Sequence, residues 1–324
     1  MSFRLLRNAA LAAGMASAAV IASAQAYPSK PVEWVVPYPA GGGTDVVARV
    51  LADNMGRQLK QSVIINNRPG AATNIGAEYT ARAKPDGYVV MTGDTATLAA
   101  NPYLYAKLSY DVEKDLLPVG LIGRFNMFLV VNNNVPAHNY KEFLAWAKAQ
   151  SGTVNFGSPG AGSPHHLATE LFGQRAGLTL THVPYRGAAP AVQDLIGGQV
   201  PFMFLDSATA YPYIGSGKIR AIAVAAPKRM TSFPQVATLD EQGLSKFEAY
   251  AWQGMVAPAG TPPAVVATLN AALRQALDAT EVKARFQVLG VEPTPSTPEQ
   301  MADYAKGERV KWSAVVRDAH IRLD

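Results

Sequence analysis

From Val32 onward, short apolar or β-branched runs alternate with stretches whose apolar residues recur at helical spacing, and this alternation limits the fold more tightly than any other feature. Such runs and stretches joined in series are βαβ units, which assemble into an α/β protein with a mostly parallel sheet. The spacing predicts a strand over 32–37 and a helix over 44–55, with Val46, Val47, Val50 and Leu51 on one face and Gly56 as its stop. It then predicts a strand over 62–65, a helix over 75–83 and a strand over 88–92. A Pro-containing connection around 117–119 leads to a strand over 128–131.

A second series begins at Asn139, a natural cap for a helix carrying Phe143, Leu144 and Ala147. It continues as strand 153–157, helix 163–176 stopped by Gly177, strand 179–183, helix 190–196, and strands 201–205 and 221–225. The chain then returns through an extended stretch, 247–256, and a turn rich in Pro and Gly. An amphipathic helix follows, with Val265, Val266, Leu269, Ala272, Leu273 and Leu277 on one face, and the residues from Pro298 read as helical too. Two long extended segments, 121–131 and 247–256, therefore join two α/β lobes. Residues 27–125 with 247–324 are expected to form one and 126–246 the other, with a cleft where strand ends and helix N-termini converge.

The first 26 residues read differently. Arg4 and Arg7 precede an apolar stretch over 9–24, and Ala24-Gln25-Ala26 stands before Tyr27-Pro28. Those are the marks of an export signal cut after Ala26. The stretch is interrupted by Gly14, Ser17 and Ser23 and is short for a bilayer span, so a soluble periplasmic product is expected. Cysteine is absent, which removes lipid attachment at a mature N-terminal cysteine and leaves stability to an ordinary core. Hydrophobic residues make up 48% of the 324, enough for two domains. Basic side chains number 29 against 24 acidic; without Arg4 and Arg7 the balance is 27 to 24, a formal +3. So small an excess argues against nucleic acid. It favours the arrival of an anionic solute and serves solubility equally well.

Two loops carry the chemistry. Pro37-Tyr38-Pro39-Ala40-Gly41-Gly42-Gly43-Thr44-Asp45 joins the first strand to the first helix and brings backbone to a helix N-terminus, where N–H groups and the helix dipole favour an anion. The alternative is that the glycines only make a tight turn. Gly157-Ser158-Pro159-Gly160-Ala161-Gly162-Ser163-Pro164 repeats the arrangement in the second series, with Ser163 as cap and Pro164 in the first helical position. Two such loops facing one cleft hold a carboxylate from both sides without arginine, and a ligand gripped by both binds the closed state better than the open one.

These loops, with Arg49, Asn67-Arg68-Pro69-Gly70-Ala71, Asp86-Gly87-Tyr88, Asn101-Pro102-Tyr103-Leu104-Tyr105, Pro184-Tyr185-Arg186-Gly187, Trp252, 257–262 and Lys311-Trp312, resemble the substrate-binding proteins of the tripartite tricarboxylate transporters, the Bug proteins. The resemblance spans nearly the whole chain beyond residue 26. It implies a type II periplasmic-binding-protein fold that is not an enzyme, needs no cofactor or metal, and is expected to be a monomer. It also implies a small carboxylate ligand, a dicarboxylate, amino acid or aromatic acid, delivered to an inner-membrane permease. The implied site comprises Tyr38, Gly42, Gly43 and Thr44 of the first loop, Gly160, Ala161, Ser163 and His166 of the second, and Asp206. Gly41, Asp94, Thr95, Ser158, Gly162 and Tyr185 are expected to join it. Asp94 stands where the family carries a small neutral residue, so Asp94 or Asp206 is expected to accept from a ligand amine or hydroxyl and to disfavour dianions.

His165 and His166, as sequence neighbours, point to different helix faces, and His138, His182 and His320 lie in unrelated segments, a poor basis for a metal site. His166 either reaches a ligand carboxylate or sits exposed on the first turn. Tyr38, Tyr103, Phe125 and Tyr185 line a pocket or pack in the core. Ser158 or Ser163 beside His165 raises the rival of an exported hydrolase, but no nucleophile-elbow motif surrounds either serine. A further rival keeps the binding and presents the liganded form to a sensor kinase.

Overall fold

The computed structural model describes residues 27–323; the expected export signal, 1–26, lies outside them. Strands β1 (Val32–Val36), β2 (Val63–Asn67) and β3 (Val89–Asp94) pair in parallel in the order β2-β1-β3. β4 (Leu116–Val131) follows, then β5 (Val154–Ser158), β6 (Leu180–Pro184), β7 (Phe202–Asp206) and β8 (Arg220–Val224), and the chain returns as β9 (Tyr250–Pro258) and β10 (Val291–Pro293). β5 lies parallel between β6 and β7.

The helices are α1 (Gly43–Leu59), α2 (Asn74–Ala81), α3 (Asn101–Leu104), α4 (Tyr140–Ala149), α5 (Pro164–Ala176) and α6 (Ala188–Gly197). They continue as α7 (Ser207–Gly215), α8 (Pro263–Asp278), α9 (Thr280–Leu289) and α10 (Pro298–Asp318). Among the described residues no helix is long and apolar enough to cross a membrane.

The two βαβ systems are joined through β4 and β9. Residues 116–126 of β4 pair antiparallel with β9, and residues 127–131 pair with β7 and β8 of the second sheet. β9 in turn pairs with β3, while Ala249, one residue before it, donates its N–H to the Ala225 carbonyl across 3.0 Å. One 16-residue strand thus runs through both lobes with β9 beside it. A pair of extended crossings, unlike a packed helix interface, bends by small backbone changes.

Each sheet is covered on both faces. On the first, Trp34, Val36, Leu51 and Met55 pack with Leu269, Leu273 and Leu277 of α8. Its other face holds Val35, Met91, Leu98 and Trp252 against Met301 and Trp312 of α10. The second sheet buries Phe143, Phe156, Phe172, Phe202, Phe204 and Phe247 on one side and Phe128, Val192, Leu195 and Leu205 on the other. Each such side chain removed from water contributes about 1.5–3 kcal/mol. Leu167 of α5 belongs to the cluster of α10, so the second lobe leans on the first there.

Several sequence expectations change. Gly56 does not stop α1, which runs to Leu59 with Lys60 left-handed at φ 53°. A Cβ at Gly56 would lie 3.3 Å from the Gln61 carbonyl oxygen, so the glycine serves the return of the chain. The Pro-containing connection at 117–119 is strand, its register shifting between Pro118 and Gly120 and again between Leu121 and Gly123. Helices α7 and α9 and strand β10 were not anticipated.

Candidate functional site

Each glycine loop packs against residues of the other α/β series. A Cβ placed on Gly43, at the start of α1, would lie 3.5 Å from Ala208 Cβ, 3.7 Å from Phe125 Cε1 and 3.9 Å from Asp206 Oδ1. Asp206 Oδ2 is 3.0 Å from His165 Nε2, in the first turn of α5 directly after the second loop. On the other side, a Cβ on Gly162 would lie 3.0 Å from Leu104 Cδ1 and 3.9 Å from Ala72 Cβ of the first lobe. Each loop therefore touches the opposite lobe.

The first loop is built around Asp45. Its carboxylate accepts from the Gly41 N–H at 2.8 Å, Arg49 Nε at 2.9 Å and Asn67 Nδ2 at 2.9 Å, and Asn67 also donates to the Tyr38 carbonyl. Burial acts to raise its pKa, but these hydrogen bonds and the Arg49 charge hold it below the usual carboxylate range. Gly41, at φ +84°, therefore makes the turn and spends its amide inside it. The Gly43 and Thr44 amides in the first turn of α1 have no partner among the described residues, as expected of a helix start without a side-chain cap.

Asp94 and Asp206 both accept hydrogen bonds from the protein's own donors. Asp94 accepts from the Tyr38 hydroxyl, from the Thr97 N–H at 2.9 Å and from Thr97 Oγ1 at 2.9 Å. Its burial pushes its pKa up, against the pull of those hydrogen bonds. Asp206 caps α7, accepting from Thr209 N–H at 3.0 Å and Thr209 Oγ1 at 2.8 Å as well as facing His165. Burial acts to raise Asp206 too, but His165 and Thr209 bring it below the ordinary value. Thr95 is buried and accepts the Trp252 N–H at 3.2 Å, tying β3 to β9.

In the second loop Ser163 caps α5, accepting the His166 N–H. Ser158 Oγ takes the Gly160 N–H at 3.2 Å, donates to the Gly160 carbonyl at 3.0 Å and lies 2.6 Å from His182 Nε2. The Gly162 N–H goes to His166 Nδ1 at 3.1 Å. The amides of Gly160 and Gly162 are thus spent inside the loop, and Ala161 keeps the N–H without a partner among the described residues. His166 is 4% exposed and turned inward under the loop, not displayed on the first turn of the helix. Tyr185 is half-buried, its hydroxyl donates to Asp194 at 2.8 Å, and burial followed by that carboxylate pushes its pKa up to about 12. Phe125 is buried in the core beside Gly43, whereas Tyr103 is 42% exposed.

Sequence reasoning missed Gln253. It sits on β9 between Gly123 of β4 and Asp94 of β3, and its Nε2 donates to Thr44 Oγ1 at 2.6 Å. A lone glutamine in a strand carries no signal until strand pairing places it.

A fold of two α/β lobes linked by crossing strands, with a glycine loop at a helix start in each lobe, is that of a solute-binding protein of the periplasmic type. Residues 47–321 match the tripartite tricarboxylate transporter family receptor, and the chain belongs to that family. Protein BugT of Bordetella pertussis is 36% identical over 321 residues, covering 99% of this chain and 98% of its own. An R. palustris structure with adipate superposes with TM-score 0.86 at 32% identity, covering 91% of this chain and 99% of that one. MatC from Rhodopseudomonas palustris with bound malate gives 0.82 at 34% identity, covering 90% and 100%. The family is one of transport receptors, not of enzymes.

Proposed function

We propose that this chain captures a small dicarboxylate between lobes formed by residues 27–125 with 247–324 and by residues 126–246, and delivers it to a membrane permease of the tripartite tricarboxylate type. The first loop offers the Gly43 and Thr44 amides and the Thr44 hydroxyl; the second offers the Ala161 amide and the Ser163 cap region. One observation supports the reading: each glycine loop touches the opposite lobe, Gly43 beside Asp206 and Gly162 beside Ala72, so that each helix start lies where the lobes adjoin. Backbone amides at two helix N-termini stabilise a carboxylate without a buried cation. Asp94 and Asp206 have hydrogen bonds from the protein's own donors, so neither needs a ligand amine or hydroxyl to satisfy it. Relatives solved with adipate and with malate support a dicarboxylate over an amino acid.

In this reading residues 1–26 direct export and are removed after Ala26, and the mature protein acts in the periplasm as a monomer. The test is a melting-temperature and calorimetry screen of the mature protein against dicarboxylates, amino acids and aromatic acids. A dicarboxylate that raises the melting temperature in proportion to its affinity, with no turnover, is the expected result. Stabilisation by none of the acids, or hydrolysis of their esters, sinks the reading.

A further inference from the structure

We propose that His166 is a positioning residue that sets the second glycine loop by accepting the Gly162 N–H, and that the loop's hold on a carboxylate therefore weakens in acid. The inference deepens the dicarboxylate reading and rests on it only for the binding half of its test.

The geometry fixes the protonation of the ring. An accepting nitrogen carries no hydrogen, so with Gly162 N 3.1 Å from Nδ1 the neutral imidazole holds its proton on Nε2. That nitrogen faces Glu170 Oε1 at 3.5 Å, one turn further along α5. The ring cannot swing freely, because it stacks on His182 at a centroid separation of 3.7 Å and 9° between planes, and His182 stacks on Phe156 at 4.9 Å. His182 reaches Ser158 Oγ, which holds the Gly160 amide. Two stacked imidazoles thus pin both glycines that flank Ala161.

A second proton on His166 must go to Nδ1, where it meets the Gly162 N–H donor to donor. The hydrogen bond is lost, and the loop must shift at a buried glycine with φ +75°, where a Cβ would lie 2.7 Å from Leu323 Cδ1 and 3.0 Å from Leu104 Cδ1. Among the described residues, the titratable groups in contact with the ring are Glu170 of α5 and His182 of β6. Glu170 favours the charged ring. His182 stays neutral, its pKa held at about 3 by burial first and by His166 second. Phe156 of β5 and the loop residues bring no charge. Direct contact between His166 and the ligand predicts the opposite sign, since an imidazolium binds a carboxylate more tightly.

The first measurement needs no ligand. In the mature protein, the Gly162 amide resonance is followed by NMR from about pH 8 to about pH 5 in wild type, His166→Asn and His166→Leu. Wild type is expected to show a titration that is absent in His166→Asn, whose side-chain oxygen can accept the same N–H without titrating. His166→Leu is expected to exchange this proton faster at every pH. In the second measurement, malate and adipate affinities fall roughly three- to tenfold from the upper to the lower pH in wild type, the worth of one hydrogen bond. His166→Asn loses none of its affinity over that range, and His166→Leu binds weakly throughout. A Gly162 resonance indifferent to both pH and His166→Leu, or affinity that rises in acid, overturns the proposal. Failure of both acids to bind at the upper pH counts against the dicarboxylate reading, while the Gly162 titration still decides the role of His166.

Discussion

Gln253 donates its Nε2 hydrogen to Thr44 Oγ1 across 2.6 Å, linking the middle of the second crossing strand to the first turn of α1. Because the threonine oxygen accepts there, its own hydrogen is left to donate, which suits an anion. Gln253→Leu is expected to weaken dicarboxylate binding roughly three- to tenfold, the loss of one positioning hydrogen bond. Gln253 Oε1 is buried without a partner among the described residues, so its removal relieves a cost and the melting temperature should change little. Thr44→Val, which removes the donor itself, should lose at least as much as Gln253→Leu, and the double variant should be no worse than Thr44→Val. Calorimetry on the three proteins checks this, and additive losses would show that the two residues act separately.

Asp94 gives a pH signature of stability. Its folded pKa is raised above the ordinary 3.8 by burial, so the folded state holds this proton more tightly than the unfolded chain does. Its contribution is fully present below 3.8 and is lost as pH rises through the raised folded value. Asp94→Asn keeps an acceptor for Thr97 and has no proton to lose. Relative to wild type, its melting temperature should therefore climb as pH rises from about 4 to about 8. A constant difference across that range would mean that Asp94 is not protonated preferentially in the fold.

Much of the fold was legible because period-two and helical segments alternate cleanly, and the two glycine loops were legible because each stands between a strand and a helix. β4 was not. Pro118, Gly120 and Gly123 look like punctuation, yet they lie within the longest strand. A Cβ at Gly120 would approach Asn270 Nδ2 to 2.7 Å and one at Gly123 the Glu292 carbonyl oxygen to 2.8 Å, so these glycines admit α8 and β10 to the strand. The same ambiguity governs the site. Gly41, Gly160 and Gly162 were read as offering amides, but those amides close their own loops. Only tertiary structure separates a glycine that binds from one that shapes the turn beside it.

Asp206 has two tasks that substitutions can separate. Asp206→Ala removes the α7 cap, at a cost of about 0.5–2 kcal/mol, and leaves His165 without its partner. Asp206→Asn keeps the cap oxygen for Thr209, so it should be the milder of the two at neutral pH. The Asp206 pKa is lowered in the fold, so its ionic contribution is present above 3.8 and vanishes as pH falls through the depressed value. The gap in stability between wild type and Asp206→Asn should accordingly narrow on acidification below about 4, as thermal unfolding at several pH values will show.

Gly43 tests closure itself. Its missing side chain leaves room that Ala208, Phe125 and Asp206 border at 3.5, 3.7 and 3.9 Å from a notional Cβ. Its backbone has ordinary helical geometry at the first position of α1, so a larger residue carries no conformational strain within its own lobe. Gly43→Ala makes contacts of ordinary length and should bind nearly as wild type. Gly43→Val adds two methyl groups on a stiff branch, which have space only if the lobes separate. Such a variant should fold with a melting temperature close to that of wild type, lose at least about tenfold in dicarboxylate affinity, and fail to compact on adding ligand. Small-angle scattering with and without malate reads the last point directly. Full compaction of Gly43→Val would mean that the two loops do not approach each other when ligand binds.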